Sequence, residues 1–323
     1  MKKPEVSVLM AVRNGGAFLE KSLASIAQQS FGDWEMVIVD DASTDGSEKL
    51  AAQWAARDPR IRVLHRTSNK GQTASLNEGL AHCRGTWVAR QDADDISHPR
   101  RLERQTAFMR RHPQMVVLGT QGVLIDEQDA RVGLLDVPLN ARDISWCAPF
   151  LNPFLHTSVL FRRDVVQGCG GYDESFRIAQ DYDLWTRLCA SHPSANLPAR
   201  LVSYRNGEES LSRSGRELAF AEADRVSERE ARRLLSREWT PEEKQLVSGF
   251  RQGLRADRRK DFWRLVAQTE KETSSPLSPR LRAAWHLRLA GAGGLSPVSE
   301  VMAAFVTAPS YTTRWLGERF LSS

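Results

Sequence analysis

Cysteine is scarce in this sequence of 323 residues: there are four (Cys83, Cys147, Cys169 and Cys189), none in a C-x-x-C pair. That spacing excludes a disulfide scaffold and a structural zinc module, and it fits a reducing compartment. Long apolar runs are missing as well. The longest stretch without formal charge, Ile144 to Phe161, is interrupted by Pro149, Asn152, Pro153 and His156, so it cannot be a lipid-exposed spanning helix. Pro4 and Glu5 separate Lys2 and Lys3 from the short run Val6 to Val12, and no small-residue cleavage site follows, so no signal peptide is expected. The chain contains no G-x-x-x-x-G-K-[ST], no G-x-S-x-G and no H-E-x-x-H, which removes the P-loop NTPases and two common hydrolase types. Gly291-Ala292-Gly293-Gly294 follows no strand pattern and is no dinucleotide fingerprint.

What remains is ordinary globular composition, 41% hydrophobic and 26% charged. The net charge of +5 is unevenly placed: residues 215–323 hold 19 Lys/Arg and 14 Asp/Glu, so they carry the whole surplus and residues 1–214 are neutral. Two regions are therefore expected, 1–214 and 215–323. The basic surplus lacks the aromatic interleaving of nucleic-acid modules, and no nucleic-acid partner is expected.

The first region alternates strand and helix. Val6–Val12, Trp34–Asp40, Ile61–His65 and Trp87–Arg90 are strand-like runs; Phe18–Gln29, Ser47–Ala56 and Thr73–Cys83 have helical spacing. This order predicts an α/β fold with a mostly parallel sheet that binds ligands at the carboxyl ends of its strands. Further on, Val116–Leu118, Val123–Ile125, Ser158–Phe161 and Leu201–Tyr204 read as strands and Asp181–Ser191 as a helix. After Arg213 only helices are expected: Arg216–Arg237, Pro241–Leu254, Asp257–Thr269, Pro279–Leu289 and a last pair after Pro297 and Pro309, with Ser274–Pro279 as a linker.

Polar clusters fall at the strand ends. Asp40-Asp41-Ala42-Ser43-Thr44-Asp45-Gly46-Ser47 follows the second strand, where a carboxylate suits a nucleobase imide or ribose hydroxyls and Ser43 to Ser47 would cap the next helix. Arg90-Gln91-Asp92-Ala93-Asp94-Asp95 follows the fourth. Three carboxylates in four positions repel one another unless a cation neutralises them, and oxygen-only ligands favour Mg2+ or Mn2+. Asp95 or Ser97 serves equally as a cap for the helix opening near Pro99. Asp181 opens a helix, where it either compensates the dipole or acts as a general base; Asp183 faces elsewhere and reads as structural. His156 stands just before a strand.

The order of VSVLMAVRNGGAFLEKSLASIAQQSF, VIVDDASTDGS, NKGQTASLNEGL, VARQDADDISHPRRLERQ, HTSVLFRR, GGYDESF and AQDYDLWTRL resembles the inverting family-2 glycosyltransferases of the GT-A fold, especially bacterial polysaccharide-assembly members. The resemblance spans about Val6 to Tyr204. It implies a nucleotide-sugar site at Val12, Asn14, Asp41, Lys70, Arg90, Asp92 and His156, with Asp41 at the nucleobase, His156 near the diphosphate and Asp94 on a Mn2+ or Mg2+ ion. Asp181 would be the catalytic base, and GGYDESF would shape the acceptor side. The implied partners are a nucleotide sugar (a UDP-sugar favoured) and a glycan or lipid-linked acceptor. One departure is visible: the family often has an acidic residue before the base, and here it is Gln180. Rival readings are a phosphatase using Asp92 and Asp94, which the lack of a hydroxyl at Ile96 argues against, and a sugar- or nucleotide-binding protein without catalysis. The chain is expected in the cytoplasm. Arg255, Arg258, Arg259, Lys260 and Arg264 around Phe262 and Trp263, with Arg280, Arg282 and Arg288 beside Leu281, Trp285 and Leu289, suit either docking on anionic lipid at the inner membrane face or packing on the catalytic domain or a second subunit.

Overall fold

The computed structural model describes residues 3–205, 215–290 and 305–307. Strands β1 (Val6–Val12), β2 (Trp34–Asp40), β3 (Ile61–His65) and β4 (Trp87–Arg90) match the expected runs end to end. They pair in parallel in the order β3-β2-β1-β4. Helices α1 (Leu19–Ala27), α2 (Ser47–Arg57) and α3 (Gln72–His82) connect them. A parallel sheet covered on both faces needs strands that are apolar throughout, and every residue of β1, β2 and β4 is buried. Val6, Val8, Met10 and Val12 pack one way against Leu23 and Ile26 of α1. Leu9 and Ala11 pack the other way, against Leu76 and Leu80 of α3. Helix α3 lies so close that a Cβ on Gly79 would sit 2.4 Å from a Leu9 methyl carbon.

Strands β1, β2 and β3 step one way across the sheet, and β4 lies on the other side of β1. The loops leaving β1 and β4 therefore diverge, and a crevice opens between them. Beyond β4 the sheet becomes mixed. After β5 (Ile96–Ser97) and α4 (Arg101–Arg111) come β6 (Val117–Ile125), β7 (Arg131–Asp136), α5 (Ala141–Cys147), β8 (Leu160–Arg162), α6 (Arg163–Gly168), α7 (Gln180–Cys189) and β9 (Ser194–Arg205). Strand β8 runs antiparallel to both β4 and β6, while β9 runs parallel to β6 and antiparallel to β5. The expected pieces Val116–Leu118 and Val123–Ile125 are one strand, because Gly119 and Gly122 carry it past Asn196 and Leu155 with no room for a Cβ. Strand β9 begins seven residues earlier than expected. It passes through Pro198, which lacks an amide donor and falls where the register with β6 shifts.

Among the described residues four α-helices follow: α8 (Arg216–Leu235), α9 (Pro241–Gln252), α10 (Arg259–Thr273) and α11 (Pro279–Ala290). Helix α9 opens with a capping box, Thr240 and Glu243 bonding each other's backbone amides. The apolar residues of these helices turn inward: Phe262, Leu281, Trp285 and Leu289 are buried with Trp146 and Phe150 in one aromatic cluster. Of the bulky residues in the expected lipid-facing pattern, these four are thus in the core and Trp263 is half-buried against it. Arg255, Arg258 and Arg264 pair with Asp257, Glu242 and Asp261. The expected linker Ser274–Pro279 is packed down, with Leu277 buried and Ser275 O accepting from Trp146 Nε1 at 2.9 Å. Strand β10 (Phe305–Thr307) pairs antiparallel with β7, against the expectation of helices alone after Arg213. The rest of the segment expected to form helices after Pro297 and Pro309 lies outside the described residues. Among the described residues no helix is long and apolar enough to cross a membrane.

Candidate functional site

The crevice is an open cleft of about 1220 Å3, and Val12, Asn14, Asp41, Lys70, Asp92 and Asp94 all line it. They come from three strand ends and the turn into α3. Asn14 adopts a left-handed φ of 53°, which asparagine tolerates better than most residues. Its amide donates to Ser43 Oγ at 2.9 Å, and its Oδ1 accepts from Thr44 N at 2.8 Å. Gly15 N and Gly16 N donate to Ser47 Oγ and Asp45 Oδ2 at 2.9 and 2.8 Å. Of the expected capping segment Ser43 to Ser47, Asp45 serves the start of α2, its Oδ1 accepting from Ser47 N at 3.0 Å; the segment also laces the loop after β2 to the loop after β1, and that cross-bonding fixes the cleft edge. Asp41 is almost fully enclosed. Its Oδ1 accepts from Lys70 N at 2.9 Å and Arg66 Nη1 at 3.2 Å, and its Oδ2 from Gly71 N at 2.8 Å. The carboxylate thus orders the turn that presents the Lys70 side chain.

Arg90 and His156 lie behind this wall. Arg90 is fully buried; its Nε donates to His156 Nε2 at 3.1 Å, its Nη1 to Leu9 O at 3.1 Å, and its Nη2 pairs with Asp92 Oδ1. Burial, reinforced by the Arg90 charge, holds the His156 imidazole well below its usual pKa, so its Nε2 accepts as a neutral ring. The sequence suggests an acidic cluster that only a bound cation would neutralise, and here the fold differs. Besides Arg90, Arg205 at the end of β9 reaches it, with N on Asp95 Oδ1 at 2.8 Å and Nε on Asp94 O at 2.9 Å. Asp95 is consumed by that contact, and Ser97 Oγ donates to Gln91 Oε1 at 2.7 Å, so neither caps α4.

Asp92 and Asp94 remain half-buried at the cleft floor. Burial, with the Asp92 charge beside it, pushes the Asp94 carboxyl up to about 6. Two carboxylates that resist ionising together form an oxygen-only pair suited to a hard divalent ion such as Mn2+ or Mg2+. Among the described residues no cluster of three or more His, Cys, Asp or Glu offers a complete coordination shell. Oxygens of a bound ligand would have to supply the rest.

Asp181 stands in the first turn of α7 and is buried, with Oδ2 accepting from Asn152 Nδ2 at 2.8 Å and Oδ1 from Tyr182 N at 2.8 Å. Burial raises its carboxyl to about 7 against those hydrogen bonds, and the Asp92 charge adds to the rise. Asp183 is held by Arg187 and Arg229, which agrees with a structural role. Gln180, where the departure was noted, donates from Nε2 to Gln72 Oε1 at 2.9 Å, and Gln72 lines the cleft. The sequence gives no role to Arg66, Asn152 or Arg205, although Asn152 opens the segment that leads to His156, because each acts on a partner at least 25 positions away.

Residues 7–168 match the family model for Glycosyl transferase family 2. The amylovoran biosynthesis glycosyltransferase AmsE of Erwinia amylovora is 36% identical over 197 residues, covering 60% of this chain and 73% of that protein. Among solved structures, S. aureus TarS 1–349 in complex with UDP-GlcNAc superposes with a TM-score of 0.58 at 17% identity, covering 90% of this chain and 88% of that one. The mannosyltransferase PcManGT from Pyrobaculum calidifontis, in complex with GDP-Man and Mn2+, gives 0.53 at 17% identity, covering 91% and 76%. At such identity these two likenesses speak for the GT-A-like fold.

Proposed function

This chain belongs to glycosyl transferase family 2, and on that premise we propose that it transfers a sugar from a nucleotide sugar to an acceptor hydroxyl with inversion. The observation that carries the reading is the cleft itself. Asp92 and Asp94 share it with Arg13 and Lys70, whose charged ends have no partner among the described residues. Paired acids beside free cations suit a nucleoside diphosphate bridged to a divalent ion. A UDP-sugar is the favoured donor, in keeping with the UDP-GlcNAc bound by TarS; a GDP-sugar, as bound by PcManGT, is the second choice.

Asp94, with Asp92 at its side, is the metal-binding group. A Mn2+ or Mg2+ ion there would offset the negative charge that builds on the departing diphosphate. Asp41 and Asn14 order the loops around the nucleoside end, and Arg13 and Lys70 face the phosphates. Arg90 and His156 hold Asp92 from behind rather than touching the donor. Asp181 takes the proton of the acceptor hydroxyl as its oxygen attacks the anomeric carbon from the face opposite the leaving group. One displacement inverts that carbon, and no sugar–protein bond forms. Residues 1–214 form the catalytic unit, and the acceptor is a glycan or a lipid-linked saccharide, in keeping with AmsE being an amylovoran biosynthesis glycosyltransferase.

The test is a panel of UDP- and GDP-sugars with Mn2+, read first by thermal shift and then by product. Release of the nucleoside diphosphate supports transfer chemistry. Release of inorganic phosphate, or binding with no turnover under any acceptor, overturns the reading in favour of a phosphatase or a binding protein.

A further inference from the structure

Helix α7 begins without a cap of its own: Ala179 holds the N-cap position and has no side chain to accept a hydrogen bond. The amides of the three residues leading into it are held from another helix instead. Glu222, from the middle of α8, accepts Arg177 N at 2.8 Å on Oε1, and Ile178 N and Ala179 N, each at 2.9 Å, on Oε2. Glu222 is buried at 2% exposure, and Ala219, Phe220, Ala223 and Val226 on its own helix pack against Phe176, Ile178, Ala179 and Tyr182. A carboxylate on three amides at a helix N-terminus is a charge-assisted cap, supplied here from a helix more than 40 residues away. The clamped turn sits at a telling place. Arg177 and Ile178 line the cleft, as do Gly215 and Leu218 at the start of α8, and the next turn carries Asp181.

We infer that Glu222 is a positioning residue for the transfer reaction: it fixes the Arg177–Ala179 turn, and through it the Asp181 carboxyl, so that α8 forms part of the acceptor wall of the site. This rests on the reading of Asp181 as the base. A neutral amide cannot replace the carboxylate, because glutamine offers one accepting oxygen and turns two N–H donors toward backbone N–H groups. At least one of the three amides is then left without an acceptor in a buried site.

The experiment uses the full chain carrying Glu222→Gln, beside Asp181→Asn and the double variant. Hydrogen exchange reads the clamp without any substrate. Amides 177–179 should exchange at least about tenfold faster in Glu222→Gln, with those of β1, β2 and β4 unchanged. UDP or GDP affinity with Mn2+ should remain at the wild-type value. Turnover of the donor chosen by the nucleotide-sugar panel should fall about 10- to 100-fold, the scale of a small misplacement of a reacting group. The double variant should be no slower than Asp181→Asn alone, because Glu222 acts through the residue already lost. Unchanged exchange at 177–179, or wild-type turnover in Glu222→Gln, overturns the inference. So does faster exchange everywhere with lost nucleotide affinity, which marks a merely structural carboxylate. If instead Asp181→Asn itself turns over normally, the assignment of the base fails, while the exchange data still judge the clamp.

Discussion

Asp181 has to be ionised to accept a proton, yet its surroundings hold its carboxyl at about 7. Turnover should therefore rise with pH through an apparent pKa near 7. Asn152→Ala removes a hydrogen bond that favours the charged form, so it should move that limb to higher pH, which a pH–rate profile reads directly. Asp181→Asn should lower turnover by about 10²- to 10⁴-fold while nucleotide affinity is kept. The same group makes a stability claim. Asp181 binds its proton more tightly folded than unfolded, so it favours the fold at low pH, and that contribution is lost as pH rises toward about 7. The melting temperature of Asp181→Asn relative to wild type should thus climb as pH rises from about 4 to about 7 and level off above that. At the cleft floor, Asp94→Ala should abolish the Mn2+-dependent part of donor affinity, measured by titration with and without the ion. At this scale the residues at strand ends were legible, because Asp41, Asp92 and Asp94 follow runs whose ends the sequence marks. Arg205 and Glu222 were not, since neither has meaning until the chain has brought its partners to it.

Strands β1, β2 and β4 could be read to the residue because burial on both faces leaves no polar alternation to blur their ends. Strands β5 and β7 were missed for the opposite reason. Ile96–Ser97 is two residues long, and Arg131–Asp136 starts exposed, so each is defined by the strand it pairs with and not by its own pattern. The seating of α3 gives a measurable expectation at this scale. Gly79 lets the helix rest on Leu9 and Val39, since a Cβ at that position would lie 2.4 and 3.0 Å from those side chains. Gly79→Val should cost about 1–3 kcal/mol by overpacking, read from urea unfolding. Because α3 also carries the turn at Lys70–Gly71, donor affinity should weaken with it.

The helices after Gly215 read as a separate basic region from charge alone, and the apolar residues inside them pack against the first region. Phe262 and Trp285 meet Trp146 and Phe150, with ring centroids between 5.1 and 6.1 Å apart, and Phe250 stacks on Phe262 at 4.3 Å, in a cluster that belongs to both halves of the chain. Calorimetry should accordingly show one cooperative transition for the whole protein. Trp285→Ala should lower its stability by about 3–5 kcal/mol, the usual range for emptying a large buried aromatic site.

That shared cluster also sets where this protein could be recombined with a relative. A chimera joined near residue 215 would set foreign side chains against Trp146 and Phe150, and it would part Glu222 from the turn it clamps. A junction before α5 keeps both relationships within one parent. The strands that shape the nucleotide end of the cleft would then come from one protein and its far wall, with any preference for an acceptor, from another.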